Sequence, residues 1–92
     1  MENLAAAVSK VLETRPFSGA LKFDCGPDGV LVLADGAATV ADRPADCTIR
    51  MTRENLEKLL AGKLNPMMAM ATGKLTLSGN PAVALGLAKL LG

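Results

Sequence analysis

Two spacings of apolar residues alternate along this chain, one near 3.6 residues and one of two, and each change of spacing marks the end of an element. From residue 3 to 14, Leu4, Val8, Val11 and Leu12 fall at i, i+4, i+7 and i+8, which is one face of a short helix. Arg15-Pro16 ends it, because a residue before proline is pushed out of the helical region. Phe17, Gly19, Leu21, Phe23 and Cys25 then alternate with Ser18, Ala20, Lys22 and Asp24, as in a half-buried strand. Gly26-Pro27-Asp28-Gly29 supplies a turn, and Val30 to Ala34 is a continuous apolar strand. Asp35-Gly36 favours a type I′ hairpin turn, from which Ala37 to Ala41 returns as a third strand. Residues 42–46 form a loop.

Cys47, Ile49 and Met51 alternate with Thr48 and Arg50 in a fourth strand. Thr52 is placed to cap a helix, Glu54 sits in its first turn, Leu56, Leu59 and Leu60 form its buried stripe, and Gly62 suits the position after its end. Asn65-Pro66 opens another short helix, carrying Met67, Met68 and Met70, and Thr72-Gly73 breaks it. Leu75 and Leu77 alternate with Lys74, Thr76 and Ser78 in a fifth strand. Asn80-Pro81 then starts the last helix, with Val83, Leu87, Leu90 and Leu91 on one side, Leu85 and the alanines further round, and Lys89 as its only charge. A helix this apolar needs cover on more than one side, from the sheet, a ligand or another subunit. The order α-β-β-β-β-α-α-β-α predicts an α+β fold with one mostly antiparallel sheet and helices on one face. The two Gly-Lys-Leu tripeptides, at 62–64 and 73–75, read as punctuation in different contexts, one following a helix and one entering a strand, rather than as a repeat.

A chain of 92 residues makes one domain, spanning 1–92, with one modest core. Phe17 and Phe23 are its only aromatic residues, so the interior is aliphatic and adaptable. The net charge of +1 and the lack of Tyr, Trp and a basic stripe exclude nucleic acid as a partner. There is no positively charged leader, and the longest apolar run, Ala82 to Ala88, is too short for a transmembrane segment, which predicts a soluble cytoplasmic protein.

Histidine is absent. That removes the commonest general base, any Ser-His or Cys-His nucleophile pair and any Cys/His zinc site. No enzyme activity, metal or cofactor is expected. Cys25 and Cys47 read as buried, reduced thiols on strands, with a bridge between them as the alternative. Asp24, Asp28, Asp35, Asp42 and Asp46 fall at strand ends and turns, where aspartate bonds local backbone. The segment Ala71-Thr72-Gly73-Lys74-Leu75-Thr76 ends as a phosphate-binding loop does, but Met68 stands where that loop needs glycine, Leu75 follows the lysine, and a strand follows instead of a helix.

Three methionines within four residues invite two readings, filler in an irregular core or a wall that deforms around a ligand. The run TRENLEKLLAGKLNPMMAMATGKLTLSGNPAVALGLAKLL resembles the sterol carrier protein type 2 family of lipid-binding domains. The points of likeness are a helix, Gly-Lys-Leu, a Pro-initiated Met-rich turn, Thr-Gly-Lys-Leu entering a strand, and Gly-Asn before an apolar helix. The upstream helix, hairpins and Cys47–Thr52 strand follow the family's order as well.

The resemblance implies a five-stranded sheet and helices enclosing an apolar tunnel for a fatty acid, fatty acyl group or sterol-like lipid. The implied role is non-catalytic carriage or presentation of that lipid, with no cofactor and with transient membrane contact. This chain is shorter than many members, stops within the last helix and lacks their peroxisomal tripeptide, since Ala88-Lys89-Leu90 is internal, so a peroxisomal address is not expected. The side chains expected to line the tunnel are Phe23, Ile49, Met51, Leu60, Met67, Met68, Met70, Val83 and Leu87. The alternative is an interaction module whose apolar C-terminal helix pairs with another copy, as a homodimer, or with an enzyme.

Overall fold

The computed structural model describes residues 2–14 and 19–91, and the side chains of these except Val11, Thr14 and residues 87–91. Four helices and five strands follow one another as α1 (Glu2–Thr14), β1 (Leu21–Asp24), β2 (Val30–Ala34), β3 (Ala37–Val40), β4 (Cys47–Met51), α2 (Arg53–Leu60), α3 (Pro66–Ala71), β5 (Leu75–Gly79) and α4 (Pro81–Leu91). The 26–29 segment is a single 3₁₀ turn over Gly26–Asp28. Asp35 and Gly36 both have positive φ, 55° and 76°, as a type I′ turn requires. Phe17, proposed for the start of the first strand, and the Arg15-Pro16 helix stop lie outside the described residues.

The sheet order is β3-β2-β1-β4-β5. Three of its pairings are antiparallel, and the central one, β1 with β4, is parallel. The crossover from β3 to β4 through residues 41–46 is what makes that pairing parallel. Asp46 pins it: its amide donates to the Ala20 carbonyl at 2.9 Å, and its Oδ2 accepts from the Ala20 amide at 3.0 Å. The register places Leu21 beside Cys47, and Cys25 lies four residues on, just past the end of β1 and not on a strand as the sequence suggests, roughly 13 Å away at strand rise. Disulfide geometry tolerates Cα separations up to about 7 Å, so the bridge alternative is excluded and both thiols are free.

One face of the sheet carries the core. Leu21, Phe23, Leu31, Leu33, Cys47, Ile49, Met51 and Leu75 are buried there against Ala5, Val8 and Leu12 of α1, Leu56 and Leu59 of α2, and Ala69 of α3. The other face carries Lys22, Asp24 and Arg50, with Lys22 bonded to Asp42 at 2.8 Å. Ser9 of α1 protects the edge strand, its Oγ accepting from the Ala38 amide at 2.9 Å.

Two chain reversals share one device. At the end of α2, Lys63 N–H bonds Lys58 C=O and Gly62 N–H bonds Leu59 C=O; at the end of α3, Lys74 N–H bonds Ala69 C=O and Gly73 N–H bonds Met70 C=O. Both are Schellman caps, with glycines at φ of 75° and 76°. The two Gly-Lys pairs therefore share one cap, but Leu64 leads on to α3 whereas Leu75 opens β5, so the two tripeptides stand in different contexts, as the sequence indicates.

Candidate functional site

The geometry of α3 decides which methionines face inward. Asn65 caps it, its Oδ1 accepting from the amides of Met67 at 2.9 Å and Met68 at 3.3 Å, and Thr72 Oγ1 closes the other end by donating to the Met68 carbonyl at 2.8 Å. Ala69 is fully buried and points at the sheet. At 100° per residue Met70 lies about 100° round the helix from Ala69 and Met67 about 160° in the same sense, so the two are about 60° apart, while Met68 lies about 100° from Ala69 in the other sense.

The flank with Met67 and Met70 forms one wall of an apolar pocket of about 250 Å³ at the β5 end of the sheet. Ile49 of β4 and Leu77 of β5, directly opposite each other in register, make the floor together with Leu75. Leu59 of α2 and Pro66, Met67 and Met70 of α3 make one side, and Pro81, Ala84 and Leu85 of α4 the other. Among the described residues each one that lines the pocket is apolar, and none of these titrates. The mouth lies between α3 and α4, because Met67 and Leu85 line the pocket and are also 66% and 57% exposed.

Of the side chains expected from sequence, the pocket brings together Ile49, Met67 and Met70. Phe23 is wholly buried in the core, flanked by Leu31 and Ile49 on the neighbouring strands, and Met51 is buried beside Leu75. Leu60 packs against the core from the flank of α2. Met68 faces outward and is 63% exposed. Val83 packs against the core and against Gly19, where an added Cβ would meet its Cγ2 at 3.4 Å. The Leu87 side chain lies outside the described residues.

The lining residues missed by sequence reasoning are Leu59, Leu75, Leu77, Pro66, Pro81, Ala84 and Leu85. Leu75 and Leu77 carried a usable signal, since both fall on the apolar face of β5. The α4 residues did not, because a helix apolar on all sides has no periodicity from which to choose a face.

The start of α4 is fixed. Asn80 donates its amide to the Asp46 carbonyl at 2.8 Å and its Oδ1 accepts from the Ala82 amide at 3.0 Å. Gly79 before it has φ of 95°, and an added Cβ would lie 2.5 Å from the Asp46 carbonyl oxygen, so only glycine allows this approach.

Elsewhere the turn aspartates act locally: Asp24 accepts from the Gly26 amide at 2.9 Å. Burial pushes both thiols above the ordinary cysteine range, with Asp24 and Asp28 adding to the effect at Cys25, so neither is an activated nucleophile. No cluster of three metal-ligating side chains occurs among the described residues, and no described helix is long and apolar enough to cross a membrane.

The sequence profile of the SCP-2 sterol transfer family matches residues 4–92. Sterol carrier protein 2 of Gallus gallus is 40% identical over 79 residues, which are 77% of this chain and 14% of that protein. Hydroxysteroid dehydrogenase-like protein 2 of Homo sapiens is 45% identical over 47 residues, 51% of this chain and 11% of that protein. The chain thus spans a small fraction of the length of these relatives. In structure it is similar to sterol carrier protein 2 of Aedes aegypti in complex with palmitate, with a TM-score of 0.82 and 20% identity over 97% of this chain and 91% of that one.

Proposed function

Since the chain belongs to the SCP-2 sterol transfer family, we propose that its pocket binds the aliphatic part of a lipid and that the protein carries or presents this lipid without chemically altering it. The observation that carries the reading is a pocket whose wall, among the described residues, holds no titratable or hydrogen-bonding side chain, set between two short helices on a five-stranded sheet. Such a wall holds a hydrocarbon and leaves a polar head at the mouth. The Aedes aegypti protein of the same fold is a complex with a C16 fatty acid, palmitate, which supports a fatty acyl chain as the ligand class.

Volume sets the scale. A cavity of about 150 Å³ takes a six-carbon ring, roughly 25 Å³ per carbon, so a 250 Å³ pocket takes about ten carbons. At ~0.8 kcal/mol per methylene this gives about 8 kcal/mol before ordering costs. Longer chains need α3 or α4 to move outward, and Met67 and Met70 accommodate that by changing rotamer. The same volume, left dry and closed, would cost about 6 kcal/mol, which favours partial collapse or hydration without ligand. Of the other side chains expected to line it, Phe23, Met51, Leu60, Val83 and Leu87 belong to this proposal as the wall of a pocket enlarged in that way, whereas Met68, exposed on the side of α3 away from the pocket, does not.

Free buried thiols suit a reducing compartment, and we place the protein in the cytoplasm. The exposure of Leu85 supports a second reading, in which α4 packs against another copy or an enzyme. Mass spectrometry of the purified protein under native and then denaturing conditions, with displacement of a fluorescent fatty acid by C8 to C20 acids, tests the first. Copurifying lipid and displacement are expected; neither being found rejects the carrier reading, and a monomer by light scattering that retains lipid rejects the second.

A further inference from the structure

The sulfur atoms of this chain divide by exposure. Cys25, Cys47 and Met51 are buried, whereas Met67, Met68 and Met70 of α3 are 66%, 63% and 44% exposed. Met1 lies outside the described residues. Burial also pushes both thiols above the ordinary cysteine range, so little thiolate is present at neutral pH to meet an oxidant. A thioether needs no ionisation to react, and access to its sulfur decides how fast it is oxidised.

The three exposed methionines differ in one respect. Met67 and Met70 line the apolar pocket, whereas Met68, on the same short helix and nearly as exposed as Met67, does not. No described side chain of the pocket wall can donate a hydrogen bond, so a polar oxygen placed there finds no partner.

We propose that Met67 and Met70 are oxidation sites at which a peroxide reversibly switches the pocket from lipid-binding to lipid-releasing. The sulfur lone pair attacks one peroxide oxygen, an S–O bond forms as the O–O bond breaks, and the departing hydroxide takes up a proton to leave as water. Sulfur loses two electrons and the peroxide gains them. A flexible apolar side chain becomes a polar one. If the S=O group stays in the wall, it lies against hydrocarbon without a partner; if it turns to water, the acyl chain loses that side chain as a contact. Both weaken binding. A methionine sulfoxide reductase reverses the step: a dithiol gives up two electrons to become a disulfide, and the oxygen leaves as water. The effect on the ligand rests on the lipid-carrier reading, whereas the site of oxidation does not.

The test treats the delipidated full chain with hydrogen peroxide and locates sulfoxides by peptide mass spectrometry. Fatty-acid probe affinity is measured before oxidation, after it, and after methionine sulfoxide reductase with dithiothreitol. Met67, Met68 and Met70 are expected to oxidise ahead of Met51, Cys25 and Cys47. The probe Kd is expected to rise about tenfold per pocket sulfoxide and to recover with the reductase. Met68→Leu should keep that response. Met67→Leu/Met70→Leu, compared with itself before and after peroxide, should lose it although Met68 is still oxidised. Bound dodecanoate should slow oxidation of Met67 and Met70 and leave the rate at Met68 unchanged.

Native probe affinity with Met67 and Met70 oxidised overturns the proposal, as does an equal loss in Met67→Leu/Met70→Leu. Met51 oxidised as early as α3, with circular dichroism lost alongside affinity, assigns the effect to unfolding and also overturns it. A native chain that binds no probe before oxidation rejects the carrier reading and the switch with it, while the peptide map still decides whether α3 is the oxidation site.

Discussion

Replacing Ala84 by Leu should move ligand affinity and stability in opposite directions. Ala84 projects from α4 into the pocket opposite Leu77 and Ile49, and its methyl group is part of the wall. Leucine adds three carbons, roughly 75 Å³ at about 25 Å³ per carbon, to a space of about 250 Å³. Room for about ten carbons falls to about seven. An acid that fills the native pocket loses about three buried methylenes, ~2.4 kcal/mol, which is roughly fifty-fold in Kd. Octanoate should lose far less.

Without ligand, the added isobutyl group fills apolar space, and stability should rise by up to about 2 kcal/mol, or roughly 8–16 °C in Tm for a domain of this size. Probe displacement by C8, C12 and C16 acids and thermal unfolding of delipidated protein measure the two effects. An unchanged C12 affinity together with a lower Tm would refute the reasoning, because it would mean that the side chain met packed atoms rather than ligand space.

Replacing Met67, Met68 and Met70 together by Leu should preserve folding within about 1.5 kcal/mol while narrowing the range of chain lengths bound; an unchanged ligand profile would return the methionines to filler. Asn65→Ala removes both N-cap bonds of α3 and should cost about 1 kcal/mol, read as a lower urea midpoint, with faster hydrogen exchange confined to α3. Gly79→Ala should cost roughly 2–3 kcal/mol, since its Cβ would press on the Asp46 carbonyl at a φ disfavoured for alanine; a native urea midpoint would contradict that contact. The raised thiol pKa of Cys25 and Cys47 means that the unfolded chain ionises first, so stability is full below the ordinary thiol range and falls as pH rises through it. Urea unfolding between about pH 7 and about pH 10 should show that fall, and Cys25→Ala/Cys47→Ala should flatten it.

Local chemistry was the legible part of this fold. Thr52 and Asn65 are caps because their side chains reach free amides two or three residues on, and Asp35-Gly36 turns the chain because both residues tolerate positive φ. These depend on neighbours in sequence. The parallel pairing of β1 with β4 depends on Asp46 meeting Ala20 across 26 residues, which no local pattern encodes. The pocket meets the same boundary: choosing inward residues element by element names Ile49 by strand alternation but takes all three methionines of α3 alike, of which Met67 and Met70 line the pocket and Met68 does not. It chose Val83 on α4, where the apolar surface runs all round and only the Gly19 and Asp46 anchors fix the rotation of the helix.

The most direct test of a lipid chain lodged between α3, α4 and β5 is a methyl NMR titration of the delipidated protein with dodecanoate. The predicted shifts are at Ile49, Met67, Met70, Leu75, Leu77 and Leu85, with Leu31 and Val32 at the far end of the sheet unmoved. Shifts centred on Val32 and Ala34, or none at saturating ligand, would contradict it.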